Sequence, residues 1–166
     1  MASISIRDMR TDDLDWVLTM NNAAAPHVGE LDGGKLAQLF AEARVARVAE
    51  ADDRPAGAII CFSPGAAYTS ENYRWFDSRY DDFLYIDRIF VGRSAAGAGI
   101  GQRFYRDLEG SAAGRISMLA CEVNERPPNP VSIRFHEKCG FSAVGRQTTE
   151  GGAKAVVMMT KTLFAK

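Results

Sequence analysis

The sequence has no excess of either charge. Its 20 lysines and arginines stand against 21 aspartates and glutamates, so it lacks the basic field that draws proteins to phosphate backbones, and no nucleic-acid partner is expected. Cysteine is scarce: only Cys61, Cys121 and Cys139 occur. The number is odd and there is no CxxC spacing, which argues against a disulfide framework and a zinc site; no metal is expected, and a reducing cytoplasm fits best. No stretch approaches the run of about 18 apolar residues that a membrane span requires. The first residues, Met1-Ala-Ser-Ile-Ser-Ile-Arg7-Asp8, are charged where a secretory signal would be apolar, so no membrane partner is expected either. Repeats and low-complexity tracts are also missing. What remains is 166 residues, 46% hydrophobic and 25% charged. That is enough for one soluble globular domain, residues 1–166, built around a single core.

Along the chain, Ser3 to Met9 reads as a strand with Ile4 and Ile6 on one face. A helix follows with Thr11 as N-cap, Asp12 and Asp13 in its first turn, and Leu14, Val17, Leu18 and Asn21 on one face; Pro26 marks its end. After a Gly33-Gly34 breaker, Leu36, Leu39, Phe40 and Ala43 have helical spacing. Ala43 to Ala49 reads as a strand, joined through a turn at Asp52 to Pro55 to the apolar strand Ala58 to Phe62. Pro64 to Asp82 carries Tyr68, Tyr73, Trp75, Phe76 and Tyr80 without clear periodicity; it reads as an acceptor wall or as a secondary core. Phe83 to Val91 is a strong strand that runs through Gly97-Ala98-Gly99-Ile100-Gly101 into a helix bracketed at its end by Gly110 and Gly114. Strand Ile116 to Cys121 follows. Asn129 and Pro130 then open a helix that Gly140 stops, and Phe141 to Arg146 with Ala155 to Leu163 form a closing hairpin. The whole is one α+β unit.

A glycine turn between strand and helix leaves backbone N–H groups aimed outward at the positive end of the helix, which favours a pyrophosphate; the same glycines equally serve close packing of helix on strand. A Walker loop needs Lys-Ser or Lys-Thr after its last glycine, and Gly101 is followed by Gln102-Arg103. A dinucleotide fingerprint needs a third glycine where Gln102 stands. By contrast, Ile89-Phe90-Val91 followed by Ala96 to Gly101, together with Asn129 to Phe141 and Met159 to Leu163, resembles the GNAT superfamily of N-acetyltransferases. The resemblance implies a GNAT-like fold, a mixed, splayed central sheet flanked by helices. It also implies acetyl-CoA as co-substrate, bound by Ile89, Phe90 and Val91 along the pantetheine arm, by Gly97, Ala98, Gly99, Ile100 and Gly101 at the pyrophosphate, and by Asn129. The chain departs from the family at Ala96, where glutamine or arginine is usual, and in the longer loop Asn124 to Asn129.

Acetyl transfer to an amine needs a neutral nucleophile and a proton for the departing thiolate. The resemblance places His136 at the family's usual tyrosine acid position, and a structural histidine is the even alternative. Tyr85 and Tyr105 are further candidate acids. Period-two alternation puts Tyr85, Asp87, Ile89 and Val91 on one face, making Asp87 a candidate base or one half of a salt bridge with Arg88 or Arg134. Glu122, after the next strand, is the second candidate base. Neither Cys121 nor Cys139 carries a nucleophile signature, so direct transfer to a small primary amine is expected. The rivals are a non-catalytic acyl-CoA sensor and a partner-pairing domain on the same fold, and the sequence leaves oligomeric state open, a homodimer included.

Overall fold

The computed structural model describes residues 1–112 and 114–164; residues 113, 165 and 166 of the expected 1–166 domain lie outside the described residues. In chain order the elements are β1 (Ile4–Asp8), a 3-10 turn (Thr11–Asp13), α1 (Leu14–Ala23), α2 (Gly33–Glu42), β2 (Val45–Ala51), β3 (Arg54–Phe62) and α3 (Glu71–Asp77). They continue with β4 (Leu84–Val91), a 3-10 turn (Arg93–Ala95), α4 (Ile100–Ala112), β5 (Met118–Arg126), α5 (Pro130–Lys138), β6 (Ser142–Thr149), a 3-10 turn (Glu150–Gly152) and β7 (Lys154–Thr162). The strands follow the order β1-β2-β3-β4-β5-β7-β6 in one open sheet. It is mixed, as expected: β4 and β5 run parallel, whereas β1 with β2, β2 with β3, β5 with β7 and β6 with β7 run antiparallel. The chain divides into two compact units, the first made of residues 1–62 with 87–111 and the second of residues 63–86 with 112 onward, so that β4 contributes to each.

In the first unit the turn between β2 and β3 is only Asp52-Asp53, both at positive φ (49° and 61°), which is the backbone twist a two-residue hairpin requires. The tight turn lets β3 begin at Arg54, earlier than the sequence reading placed it, and Pro55 is tolerated because the register slips next to its partner Glu50. From Ala56 to Phe62 every residue of β3 is buried, as in a strand covered on both faces. Gly57 is required there: a Cβ would stand 2.6 Å from the Phe90 carbonyl oxygen of β4. The helices start differently from expectation. Asp32 caps α2 by accepting the Lys35 N–H at 2.8 Å, so Gly33 and Gly34 lie inside the first turn and do not break it. Thr11 opens a 3-10 turn, while the buried carboxylate of Asp13 accepts the Arg10 N–H at 2.7 Å.

In the second unit β5 starts at Met118 and runs to Arg126, longer than its apolar stretch, because β7 pairs with it along nearly its whole length. β6 therefore lies outside β7, and the closing hairpin turns through Glu150, Gly151 and Gly152, all at positive φ. Gly140, at φ 96°, ends α5 where the sequence reading put the stop. Gly110 instead sits within α4. The aromatic segment resolves into α3, capped by Ser70, with Tyr73 and Phe76 fully buried. Their rings pack at 5.4 and 5.8 Å from the ring of Tyr85, and the Tyr73 hydroxyl donates to the Ser63 carbonyl at 2.7 Å. Of the two readings of this segment, Tyr73 and Phe76 fit the secondary core.

Candidate active site

In the first unit, β4 gives way at Gly92 to the turn carrying the glycines. Gly97 and Gly99 adopt φ of 80° and 75°, a conformation that costs an L side chain about 1–2 kcal/mol. A Cβ at either position would meet no atom within 4 Å among the described residues. Packing therefore does not require these glycines, in contrast to Gly57, whose Cβ would meet the β4 backbone. The first turn of α4 closes with the Arg103 N–H donating to the Gly99 carbonyl at 3.1 Å. Helix geometry leaves the amides of Ile100, Gly101 and Gln102 without an acceptor inside the helix. Backbone donors at the positive end of a 13-residue helix, preceded by an exposed turn of glycines and alanines, fit a diphosphate. On the adjoining stretch of β4, Phe90 is buried while Ile89 and Val91 are half-buried.

Asp87 lies in the same unit. Its side chain is 5% exposed and accepts from Arg88 Nε at 2.8 Å. Arg88 also donates through Nη1 to Asn21 Oδ1 at 2.8 Å and to the Gly29 carbonyl at 3.1 Å. The salt bridge with Arg88, one of the readings of Asp87, is present. The pair ties the end of α1 and the loop after it to β4.

The second unit carries the other candidates. Asn129 is the N-cap of α5, its Oδ1 accepting the Ser132 N–H at 3.3 Å. His136, two turns into that helix, is 3% exposed and lies edge-on to Phe135 and Phe141, with ring centroids 5.1 and 5.3 Å away. Its Nδ1 stands 2.8 Å from the Ser132 carbonyl oxygen. A carbonyl only accepts, so Nδ1 carries the proton and Nε2 is the acceptor of the neutral ring. Burial holds the imidazole pKa below its ordinary value, and the bond to the Ser132 carbonyl offsets this only in part. Tyr105, the other tyrosine considered, is buried within α4.

Glu122 on β5 is half-buried and held at both oxygens. The Tyr85 hydroxyl donates to Oε2 at 2.7 Å, and Asn72 Nδ2 of α3 donates to Oε1 at 3.3 Å. Gln147 Nε2 of β6 donates in turn to Asn72 Oδ1 at 2.9 Å. Glu122 and Tyr85 were expected from the sequence, whereas Asn72 and Gln147 were not. Asn72 sits in the segment read as irregular, and the only signal for Gln147 is its place on the half-buried side of β6, in step with Gly145 and Thr149. Cys121, next to Glu122, is buried, and burial first and the neighbouring carboxylate second push its thiol pKa well above the ordinary range. No group of three or more His, Cys, Asp or Glu side chains suited to a metal occurs among the described residues. No described helix is long and apolar enough to cross a membrane.

The acetyltransferase (GNAT) family matches residues 11–141, most of the chain and both units. The chain belongs to that family. It is thus a GNAT acetyltransferase, an enzyme that moves an acetyl group to nitrogen, and the family uses acetyl-CoA. Solved structures of the same fold include Ard1 from Thermoplasma volcanium, at 14% identity and TM-score 0.78, over 98% of this chain and 99% of that one. The ribosomal-protein-S18-alanine N-acetyltransferase from Escherichia coli superposes at TM-score 0.75 with 15% identity, over 99% and 96%. Arabidopsis thaliana Naa50, solved with the bisubstrate analogue CoA-Ac-MVNAL, does so at TM-score 0.71 with 19% identity, over 96% and 98%. At these identities the GNAT fold is what is shared. No curated protein matches the sequence.

Proposed function

We propose that this GNAT enzyme acetylates the primary amine of a small molecule by direct transfer from acetyl-CoA, with Glu122 as the general base and residues 1–166 acting as one acetyltransferase domain. The observation that carries the reading is the Gly97–Gly99 turn, which is open, at positive φ and followed by amides that α4 does not use. In this reading those amides, with Ala98 to Gly101, hold the diphosphate, and the stretch Ile89 to Val91, half-buried at both ends, holds the amide-bearing arm. Asn129 acts through its cap on α5.

Acetyl-CoA supplies an acetyl group activated as a thioester; as the C–N bond forms the C–S bond breaks, the amine gives up a proton and the sulfur gains one. Glu122 suits the first proton transfer, because a half-buried carboxylate with the Tyr85 hydroxyl and the Asn72 amide donating to it is an oriented acceptor for the proton of an amine. Asp87 suits it less, since its charge is already spent on Arg88. For the second proton, Tyr85 is the better donor: its hydroxyl adjoins Glu122, whereas the His136 ring holds its single proton on a carbonyl within its own helix. The raised thiol pKa of Cys121 speaks against an acyl-cysteine intermediate. The balanced charge, 20 basic against 21 acidic residues, favours a small acceptor over a charged tail, and the three free cysteines suit the cytoplasm.

The test is a thiol-release assay with acetyl-CoA over amino acids, polyamines, aminoglycosides and peptide N-termini, followed by Glu122→Gln on the best acceptor. The expected outcome is turnover with a small amine, reduced roughly 10²–10⁴-fold in kcat by the substitution. Turnover confined to peptide N-termini would overturn the acceptor class, and full activity in Glu122→Gln would overturn the base.

A further inference from the structure

The amides beside Glu122 have only one arrangement compatible with an ionised carboxylate. A carboxylate accepts and never donates, so Asn72 must turn its NH2 toward Glu122 Oε1, at 3.3 Å, which leaves Asn72 Oδ1 facing Gln147. Gln147 must then present its own NH2, at 2.9 Å. The direction of each bond thus follows from the charge on Glu122. Packing fixes the positions. Trp75 lies three residues after Asn72, on the same face of α3, and its ring sits where a side chain on Gly145 would be, with a Cβ only 2.5 Å from Trp75 Cζ2. Gly145 lies two residues before Gln147, on the same side of β6. The Trp75–Gly145 contact therefore brings Asn72 and Gln147 face to face.

We propose that Asn72 and Gln147 are positioning residues, forming a one-way amide relay that orients Glu122 and holds it as a carboxylate. The relay rests on the reading of Glu122 as base, and it gives that base a defined state: two donors, Tyr85 and Asn72, favour the charged form. Protonation of Glu122 removes the constraint and frees both amides to turn over. The titratable neighbours of Glu122 include the Tyr85 hydroxyl of β4 and the Cys121 thiol, which burial keeps protonated. Its β7 partner Met158 is uncharged, Arg146 of β6 is engaged by Glu125, and Glu71, Arg74 and Asp77 of α3 are exposed.

The experiment titrates Glu122 directly, by the 13C shift of its side-chain carboxyl in the labelled full chain, with the resonance assigned by its loss in Glu122→Gln. Asn72→Leu and Gln147→Leu are each expected to raise the midpoint by about half to one pH unit, the size of one net hydrogen bond. The telling variant is Gln147→Leu, because Gln147 acts on Glu122 only through Asn72. Gln147→Met, of similar length but with no N–H to donate and no added charge, is expected to raise the midpoint as well and stands in should the leucine variant fail to fold. An unmoved midpoint in the folded Gln147 variants overturns the relay, even if Asn72→Leu moves it. The titration needs no acceptor, so its outcome is separate from that of the Glu122→Gln turnover test, which judges the base itself.

Discussion

The carboxylate of Asp13 is the clearest case in which a measurable quantity follows from the geometry. Arg7 grips it with both terminal nitrogens, Nη1 to Oδ2 and Nη2 to Oδ1, each at 2.8 Å; the Arg10 N–H adds a bond at 2.7 Å and Trp16 Nε1 one at 3.2 Å. The Asp13 side chain is only 7% exposed, so solvent screens this pair little. The Arg7 bonds come first among the causes that bring the carboxyl from an ordinary 3.8 down to about 2, against the opposing pull of burial. A group whose pKa falls on folding stabilises the fold above its unfolded pKa, and that stability drains away as pH falls through the folded pKa. At about 1.4 kcal/mol per tenfold in the proton equilibrium, the contribution is about 2 kcal/mol at pH 7, roughly half of it surviving near pH 3. Urea unfolding of the wild type and of Asp13→Asn at pH 7, 5, 4 and 3 measures it. The two should differ by about 2 kcal/mol at neutral pH, with the gap closing between pH 4 and pH 2. A gap that stays constant across that range would show that Asp13 acts through shape and not charge, and would refute the reasoning.

Two further predictions concern the residues that the sequence analysis singled out. Gly99→Asp should fold, at a cost of about 1–2 kcal/mol for an L residue at φ 75°, and lose acetyl-CoA binding by tenfold or more, whereas Gly99→Ala carries the same backbone cost without the charge. Calorimetric titration separates them; equal affinity in wild type and folded Gly99→Asp would remove the diphosphate from this turn. For His136, the folded pKa lies below the ordinary value, so the unfolded chain takes up the proton first as pH falls, and the histidine's share of stability is complete above about 6.5 and lost below it. His136→Phe should therefore flatten the stability profile on that acid side while kcat keeps its size and pH dependence; a fall of 10²-fold or more with loss of an alkaline limb would return His136 to the acid role.

What could be read from the sequence, and what could not, divides by the range of the interaction that fixes it. Gly97 and Gly99, Asn129 as a cap and Gly140 as a stop are local: each answers to the dihedrals or the N–H groups of its own few residues, so spacing along the chain is enough to find it. Thr11 and the Gly33-Gly34 pair were misjudged within that same local range. Thr11 was read as a helix N-cap but opens a 3-10 turn, and Gly33-Gly34 was read as a breaker although Asp32, the residue before it, caps α2 and draws both glycines into the first turn. The order of β5, β7 and β6 could not be read from hairpin signals, because β7 satisfies the hairpin with β6 and still pairs with β5 on its other edge. The polar chain at Glu122 lies furthest from what periodicity reports. Its four members come from β4, α3, β5 and β6, separated by 37 to 75 positions, and none has a local reason to be where it is. Even Gly145, which allows Trp75 to seat α3, looks in sequence like an ordinary strand glycine. Glu122 could be singled out from its place after an apolar run, where the sequence pattern ended the strand that in fact continues to Arg126. The groups around it, Asn72 and Gln147, are placed by packing between elements, above all by Trp75 against Gly145, and no spacing along the chain encodes that contact.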